Sequence, residues 1–368
     1  MLLLNTTRDA LLGPLQSVCG IVEKRHTLPI LSNVLIEKHG EELTFLATDI
    51  EIQIRTITTD GTGAENAAIT VGARKLQDIL RSLPADTAVS LVIEDRRLLL
   101  RAGKSRFTLQ TLPAADYPRI TPASEEAQKL DLTQKQFKQL LASVQYAMAQ
   151  QDIRYYLNGL LLVAEGAELR AVATDGHRLA FASCEIGGER PRTEVILPRK
   201  TVLELSRQLA DSDDALSLSL AGNQAVFRFG PLELISKLID GKFPDYDRVI
   251  PRNHPKLIKL SRVLLLQALQ RAAILTAEKF RGVRLLLEEG ALKIISTNTE
   301  QEEAQEELEI DYAGEALDIG FNVTYLLDVL NHLGAEEVEL RLNDSNSSAL
   351  ITVPGNETFK YVVMPMRI

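Results

Sequence analysis

Cysteine is nearly missing from this sequence: Cys19 and Cys184 are the whole complement and lie far apart. That excludes a disulfide framework and any CxxC metal site, and leaves two buried thiols as the expectation. The five histidines, at 26, 39, 177, 254 and 332, follow no metal-ligand spacing, so neither a metal nor another cofactor is expected. No apolar run approaches the roughly 18 residues needed to span a bilayer. The opening Met1-Leu2-Leu3-Leu4-Asn5 meets Arg8 and Asp9 too soon for a signal peptide. A cytoplasmic protein without membrane attachment is expected. Low-complexity tracts are also missing, so a chain of 368 residues, 45% hydrophobic and 25% charged, should bury a substantial core in two or three domains. Phosphate-loop signals fail on inspection. Gly103-Lys104-Ser105 has Leu98 where the first glycine belongs, and a strand-like "RFTLQ" follows it. Gly61-Thr62-Gly63 has no third glycine and reads as a hairpin turn.

What the sequence does contain is a repeat. "LTFLATDIE", "LRAVATDGH" and "LKIISTNTE" share one pattern and place Thr48, Thr174 and Thr297 at separations of 126 and 123. "RKLQDILRSL", "RKTVLELSRQL" and "VTYLLDVLNHL" end at Leu83, Leu209 and Leu333, separations of 126 and 124. Leu112, Leu238 and Met364 close each copy at intervals of 126 and 126. Within each copy, short period-two strands alternate with two helices. Thr6 or Thr7, Thr133 and Ser261 are placed to cap the first helix of each copy, "QKQFKQLLASVQYA" for the middle one, and Pro14 should kink the first. Polar, Pro-bearing stretches at 121–129 and 251–256 read as linkers. Three α+β domains of one fold are expected, at 1–122, 129–252 and 256–368.

"ATDGHRLA" sets Asp175 two residues from His177 and three from Arg178, a grouping suited to acid/base chemistry. The equivalent stretches "TDIEIQI" and "TNTEQEE" have no histidine, so the shared element is a strand and a turn. Asp49 and Asp175 read as turn residues that bond backbone amides. A catalytic role would require a nucleophile and an orienting partner converging on His177, which spacing alone does not display. The six glutamates between 300 and 309 read as a solvated strand face, with a cation site as the alternative.

A net charge of −9 at first opposes a nucleic-acid partner. The segments 8–25, 74–81, 135–154, 199–207 and 262–281, all expected to be helical, together carry ten net positive charges, which leaves nineteen net negative on the remainder. Basic helices that face one way would accept nucleic acid while the rest repels it. The helix at 322–332, with Asp328 and neither lysine nor arginine, is expected to face a partner instead.

From end to end, "HTLPIL", "SRFTLQTLPAADYP", "QDIRYYLNG", "ATDGHRLA", "SKLIDGKFPDY", "EKFRGVRL", "QEEAQEELEI" and "YVVMPMR" closely resemble the β subunits of bacterial DNA polymerase III, the sliding clamps. The resemblance implies three DNA-clamp domains per chain and a head-to-tail homodimer closed into a ring, with helices lining the hole and sheets outside. The implied function is that of a non-enzymatic processivity factor. Implied partners are double-stranded and primed DNA, the replicative polymerase catalytic subunit, the clamp loader complex, and other polymerases and repair proteins that carry a clamp-binding peptide. The resemblance assigns DNA contacts to Arg25, Gln151, Tyr155, Tyr156 and Lys200, with Arg74 and Arg199 added from the basic helices. It assigns the ring-closing contact to Phe107 and Leu109 against Ile274 and Leu275. A hydrophobic peptide groove is implied at Leu157, Thr174, Gly176, His177, Arg178, Leu179, Pro244, Arg248, Val249, Ser348, Val362, Val363, Met364, Pro365, Met366 and Arg367. Asp247 and the terminal Ile368 depart from the family's usual basic residue and leucine.

Overall fold

The computed structural model describes every residue except 24–27, 124–126 and 278. Six α-helices form among the described residues: α1 (Arg8–Cys19), α2 (Ala73–Ser82), α3 (Gln134–Ala142), α4 (Arg199–Gln208), α5 (Arg262–Ala272) and α6 (Val323–His332). Their starts follow from local chemistry. Thr7, Ser261 and Asn322 each accept an early amide of α1, α5 and α6. At α3, Thr133 Oγ1 accepts from Gln136 N (3.1 Å) while Gln136 Oε1 accepts from Thr133 N (2.9 Å), a reciprocal capping box. The ends differ from expectation. α3 stops at Ala142, where Ser143 Oγ donates back to Gln139 O (2.8 Å), and one 3₁₀ turn at Gln145–Ala147 follows. α5 gives way to a 3₁₀ turn at Ala273–Leu275, and α1 continues through Pro14.

Each copy supplies two sets of four antiparallel strands in a repeated order. The first set of copy one runs Asn66–Gly72, Asn33–His39, Glu42–Thr48, Ile52–Thr58. Its counterparts run Thr193–Pro198, Gly159–Glu165, Glu168–Thr174, Arg178–Glu185, and Leu317–Asn322, Gly282–Glu288, Ala291–Thr297, Glu303–Glu309. The second sets run Ser105–Leu112, Arg97–Ala102, Ala88–Glu94, Leu2–Thr7; then Leu232–Lys237, Gln224–Phe229, Ala215–Ala221, Gln128–Thr133; then Asn356–Val363, Ala349–Val353, Glu337–Leu342, Lys256–Ser261. Gly61-Thr62-Gly63 is not a hairpin turn: Thr62–Gly63 pairs with Leu4 and Asn5 of the opening strand. Gly103 and Lys104 form the two-residue turn of a hairpin, since Ala102 pairs with Ser105.

The described residues gather into two compact units, Met1–Gln136 with Leu203–Leu238, and Phe137–Val202 with Ile239–Ile368. In the first, the strand Leu232–Lys237 pairs with Ile52–Thr58, Leu234 facing Ile54, and joins sets from two copies into a thirteen-stranded sheet. In the second, Arg178–Glu185 pairs with Asn356–Val363, Ala180 facing Tyr361, and makes an eight-stranded sheet. The set that begins Leu317–Asn322 stands alone as a four-stranded sheet ending at Glu303–Glu309. Along that last strand Glu303, Gln305, Glu307 and Glu309 are exposed and alternate with half-buried residues, a solvated face with period two. No helix among the described residues is long and apolar enough to cross a membrane.

Strands, a 3₁₀ turn and a loop meet over a core of Leu157, Leu161, Val172, Leu179, Phe181, Phe243 and Val362 in the second unit. Phe321 is fully buried. Phe321→Ala is expected to cost about 3–5 kcal/mol, read as a lowered urea midpoint with an unchanged slope.

Candidate functional site

The turn after Thr174 follows one plan in copies one and two and is a residue longer in copy three. Asp175 Oδ1 accepts from His177 N (2.9 Å) and Arg178 N (3.1 Å), and Thr174 Oγ1 donates to Arg178 O (2.6 Å) while accepting from Gly176 N (3.1 Å). In copy one, Asp49 Oδ1 accepts from Glu51 N (3.0 Å) and Ile52 N (2.8 Å). In copy three, Asn298 Oδ1 accepts from Glu300 N and Glu302 N, both at 3.0 Å. Asp175 also accepts from Arg178 Nε through Oδ2 (3.1 Å). With both oxygens engaged in holding the turn, it is poorly placed to act as a base. His177 lies face to face with Tyr325, ring centroids 6.5 Å apart.

Only the middle copy has a glycine and an arginine here, and both matter. Gly176 adopts φ +91°, and a Cβ on it would stand 2.9 Å from Arg154 Nη2, so the bare backbone lets that guanidinium pass over the turn. Arg154 donates to Asp152 through Nε (3.0 Å) and Nη2 (2.8 Å) and to Asp175 O (3.2 Å). Its hydrogen bonds hold the Asp152 carboxyl down to about 2. Arg178 is turned inward, its side chain 10% exposed. It reaches Asp328, donates to Tyr146 O (2.7 Å) and lies 4.5 Å from the Tyr325 ring centroid. Burial opposes its charge, but Tyr361, Asp328 and Asp175 outweigh that and raise its pKa above the ordinary arginine value.

Over this turn lies a groove of about 220 Å³. Leu157, Thr174, Gly176, His177, Arg178, Leu179, Pro244, Val249, Val362 and Met364 converge on it. Its floor is the top of the buried core, and Met364, 44% exposed, forms a deformable wall. Arg154, Phe243 and Tyr246 also line it. Sequence reasoning missed these three although each lies inside a quoted motif; two aromatics flanking Pro244 were the available signal. The walls do not include Arg248, whose side chain is 87% exposed beside Asp245 at 2.8 Å. Val363 is buried in strand pairing, and Ser348 contributes its carbonyl to His254 Nε2 (2.6 Å). Pro365, Met366 and Arg367 continue the tail beyond the groove.

A second, polar cavity of about 450 Å³ shares His177 and Arg178 with the groove and brings Gln151 and Arg199 together. Gln151 takes φ +57°. Tyr155 and Tyr156 sit edge to face at 5.8 Å in the 3₁₀ turn Tyr155–Leu157, Tyr155 exposed and Tyr156 packed on the core. Lys200 follows Arg199 at the start of α4, half-buried. In the first unit Arg74 donates to Val22 O (2.6 Å); Arg25 lies outside the described residues. Phe107 and Leu109 are half-buried on the strand Ser105–Leu112. Ile274 is exposed and Leu275 half-buried in the turn that packs beside Glu303–Glu309. Among the described residues no cluster of three or more histidines, cysteines or carboxylates could hold a metal ion.

The sequence matches three family models: DNA polymerase III beta subunit N-terminal domain over residues 2–121, central domain over 131–245 and C-terminal domain over 247–367. It is 48% identical over 366 residues to the beta sliding clamp of Pseudomonas aeruginosa and 47% identical over 361 residues to that of Escherichia coli, covering 98% of each chain in both cases. Among solved structures, the P. aeruginosa DNA polymerase III subunit beta superposes with a TM-score of 0.96 at 47% identity, and the Caulobacter crescentus clamp with 0.93 at 39%, each pair covered completely.

Breaking the inward arginine should be costly and breaking the outward one should not. Arg178→Ala leaves Asp328 and Asp175 without their cation, and a loss of about 3–5 kcal/mol is expected in chemical denaturation. Arg248→Ala should stay within about 0.5 kcal/mol of the parent.

Proposed function

The chain belongs to the bacterial DNA polymerase III β-subunit family, the sliding clamps, and from that membership we propose that it is the processivity factor of a cytoplasmic replication machine. It encircles duplex DNA as a homodimer and tethers its clients through the groove over Gly176. It is loaded onto primed DNA by a separate clamp loader.

The observation that carries this reading is a pair of unfinished sheet edges. Each join between copies pairs the last-named strand of a first set with the first-named strand of the next copy's second set. By that rule the third join needs Glu303–Glu309 and Ser105–Leu112. Glu303–Glu309 pairs on one side only, and Ser105–Leu112 meets Asn66–Gly72 just at Thr111 and Leu112. The first edge exposes Glu303, Glu307 and Glu309, and the second exposes Lys104 and Arg106. Supplied by a second copy, each edge completes the other with charges of opposite sign, and Phe107 and Leu109 come to face Ile274 and Leu275. Because the contact is head to tail, its rotation must close, and two chains of three copies make a sixfold-like ring.

Topology is what a processivity factor needs. Phosphate contacts alone give a nonspecific dissociation constant of roughly 10⁻⁴ to 10⁻⁶ M. With association near ~10⁸ M⁻¹s⁻¹, such a protein would leave within about 0.1–10 ms. A closed ring turns weak contacts from Gln151, Tyr155, Arg199 and Lys200 into an advantage, since they permit sliding. The groove suits a short peptide with two apolar anchors, each worth about 1.5–3 kcal/mol before ordering costs, and the resulting modest affinity lets a polymerase catalytic subunit, other polymerases and repair proteins exchange.

Loaded on a nicked circle, the protein is expected to stay through gel filtration and to be lost once the circle is linearised; equal retention on both would overturn the ring. Reversing Arg199 and Lys200 to glutamate should speed loss from DNA while leaving peptide binding intact. Griselimycin, bound by the P. aeruginosa clamp in a solved structure, is expected to compete with a Leu/Phe peptide here, as followed by fluorescence anisotropy.

A further inference from the structure

The last five residues leave the eight-stranded sheet after Val363 and cross to the four-stranded one. Met364 N donates to His177 O (2.9 Å) at the groove, and Met366 N donates to Gly320 O (2.8 Å). Gly320 lies on Leu317–Asn322, the end strand of its sheet, whose other side is taken by Gly282–Glu288. Pro365 between them has no N–H to donate and stiffens the crossing. The tail is therefore a strap fixed at the groove and at an open sheet edge.

Ile368 completes the strap by coming down on two glycines. Gly282 faces Asn322 and Gly320 faces Arg284, which makes the pair diagonal neighbours on one face of the sheet. A Cβ on Gly320 would stand 2.4 Å from Met366 O and 2.8 Å from Ile368 Cδ1; one on Gly282 would stand 2.9 Å from Cδ1 and 3.2 Å from Cγ1. Neither glycine adopts a positive φ, so what each supplies is space. We infer that Gly282 and Gly320 are positioning residues for the peptide groove: they seat the end of the chain, and the seated tail holds Met364 in place as the groove wall. This rests on the groove being the client site. The two positions differ in kind. A methyl at 320 meets a backbone carbonyl and must displace the tail, whereas a methyl at 282 meets the flexible end of one side chain.

The test uses the full-length protein, a fluorescein-labelled acetylated pentapeptide ending in leucine and phenylalanine, and methyl-¹³C-methionine NMR. The chain has four methionines, and two of them lie in the strap. Gly320→Ala should weaken peptide binding about tenfold or more, the loss of roughly one apolar anchor, and should shift the Met364 and Met366 methyls while Met1 and Met148 stay in place. Gly282→Ala should weaken binding less. Ile368→Val, which removes Cδ1, should restore Gly282→Ala and fail to restore Gly320→Ala. If the parent binds the peptide and Gly320→Ala binds it equally, the inference is overturned and the groove reading stands. Failure of the parent to bind overturns both. Should Gly320→Ala shift all four methyls, a sign of misfolding, Gly282→Ala with and without Ile368→Val decides: rescue supports the seat, and affinities equal to the parent's overturn it.

Discussion

A strand at the end of a sheet carries a row of backbone N–H and C=O groups that must find partners or water, and this chain resolves that constraint by lending the edge of one copy to the next. Ile52–Thr58 takes Leu232–Lys237, and Arg178–Glu185 takes Asn356–Val363. The groove follows from the second join. By bringing Val362 against Leu179 and Val363 against Arg178, it delivers Met364 to the turn at Gly176, so a site assembled from residues nearly two hundred apart depends on one strand pairing.

Three copies of one turn have diverged around a fixed hydrogen-bonding core. Asp49, Asp175 and Asn298 each hold backbone amides with a single side-chain oxygen. Copy one places Ile50 at φ +71°, an unfavourable conformation for a β-branched residue, where the middle copy has glycine. The middle copy thereby gains room for Arg154, and Arg178 locks the turn to α6 through Asp328 and Tyr325. In the middle copy a groove lies over this turn.

Much of the fold was legible because its rules are local. The Thr-Asp or Thr-Asn turn, the cap at Thr133 and the period-two strands all depend on side chains within four residues of one another. Helix ends were less so: nothing in the apolar pattern of "FKQLLASVQYA" announces that Ser143 will bond back and end α3 at Ala142. At the candidate site, Leu157, Leu179 and Val362 lie buried beneath the groove, and Arg178 lines it while its guanidinium is taken by Asp328, 150 residues away. Tyr246, which the sequence reading assigned to no site, is buried under the groove. Such partners are set by packing between distant segments, which spacing along the chain does not encode.

The two unfinished edges also bear on how much protein must be present for the fold to be complete. A chain that supplies only one half of each closing pair cannot finish itself at any dilution. Under the proposed pairing, its resistance to unfolding therefore scales with its own concentration by mass action. Under the same proposal, parting one join bares at a single place the acidic and basic strands that dilution bares at two.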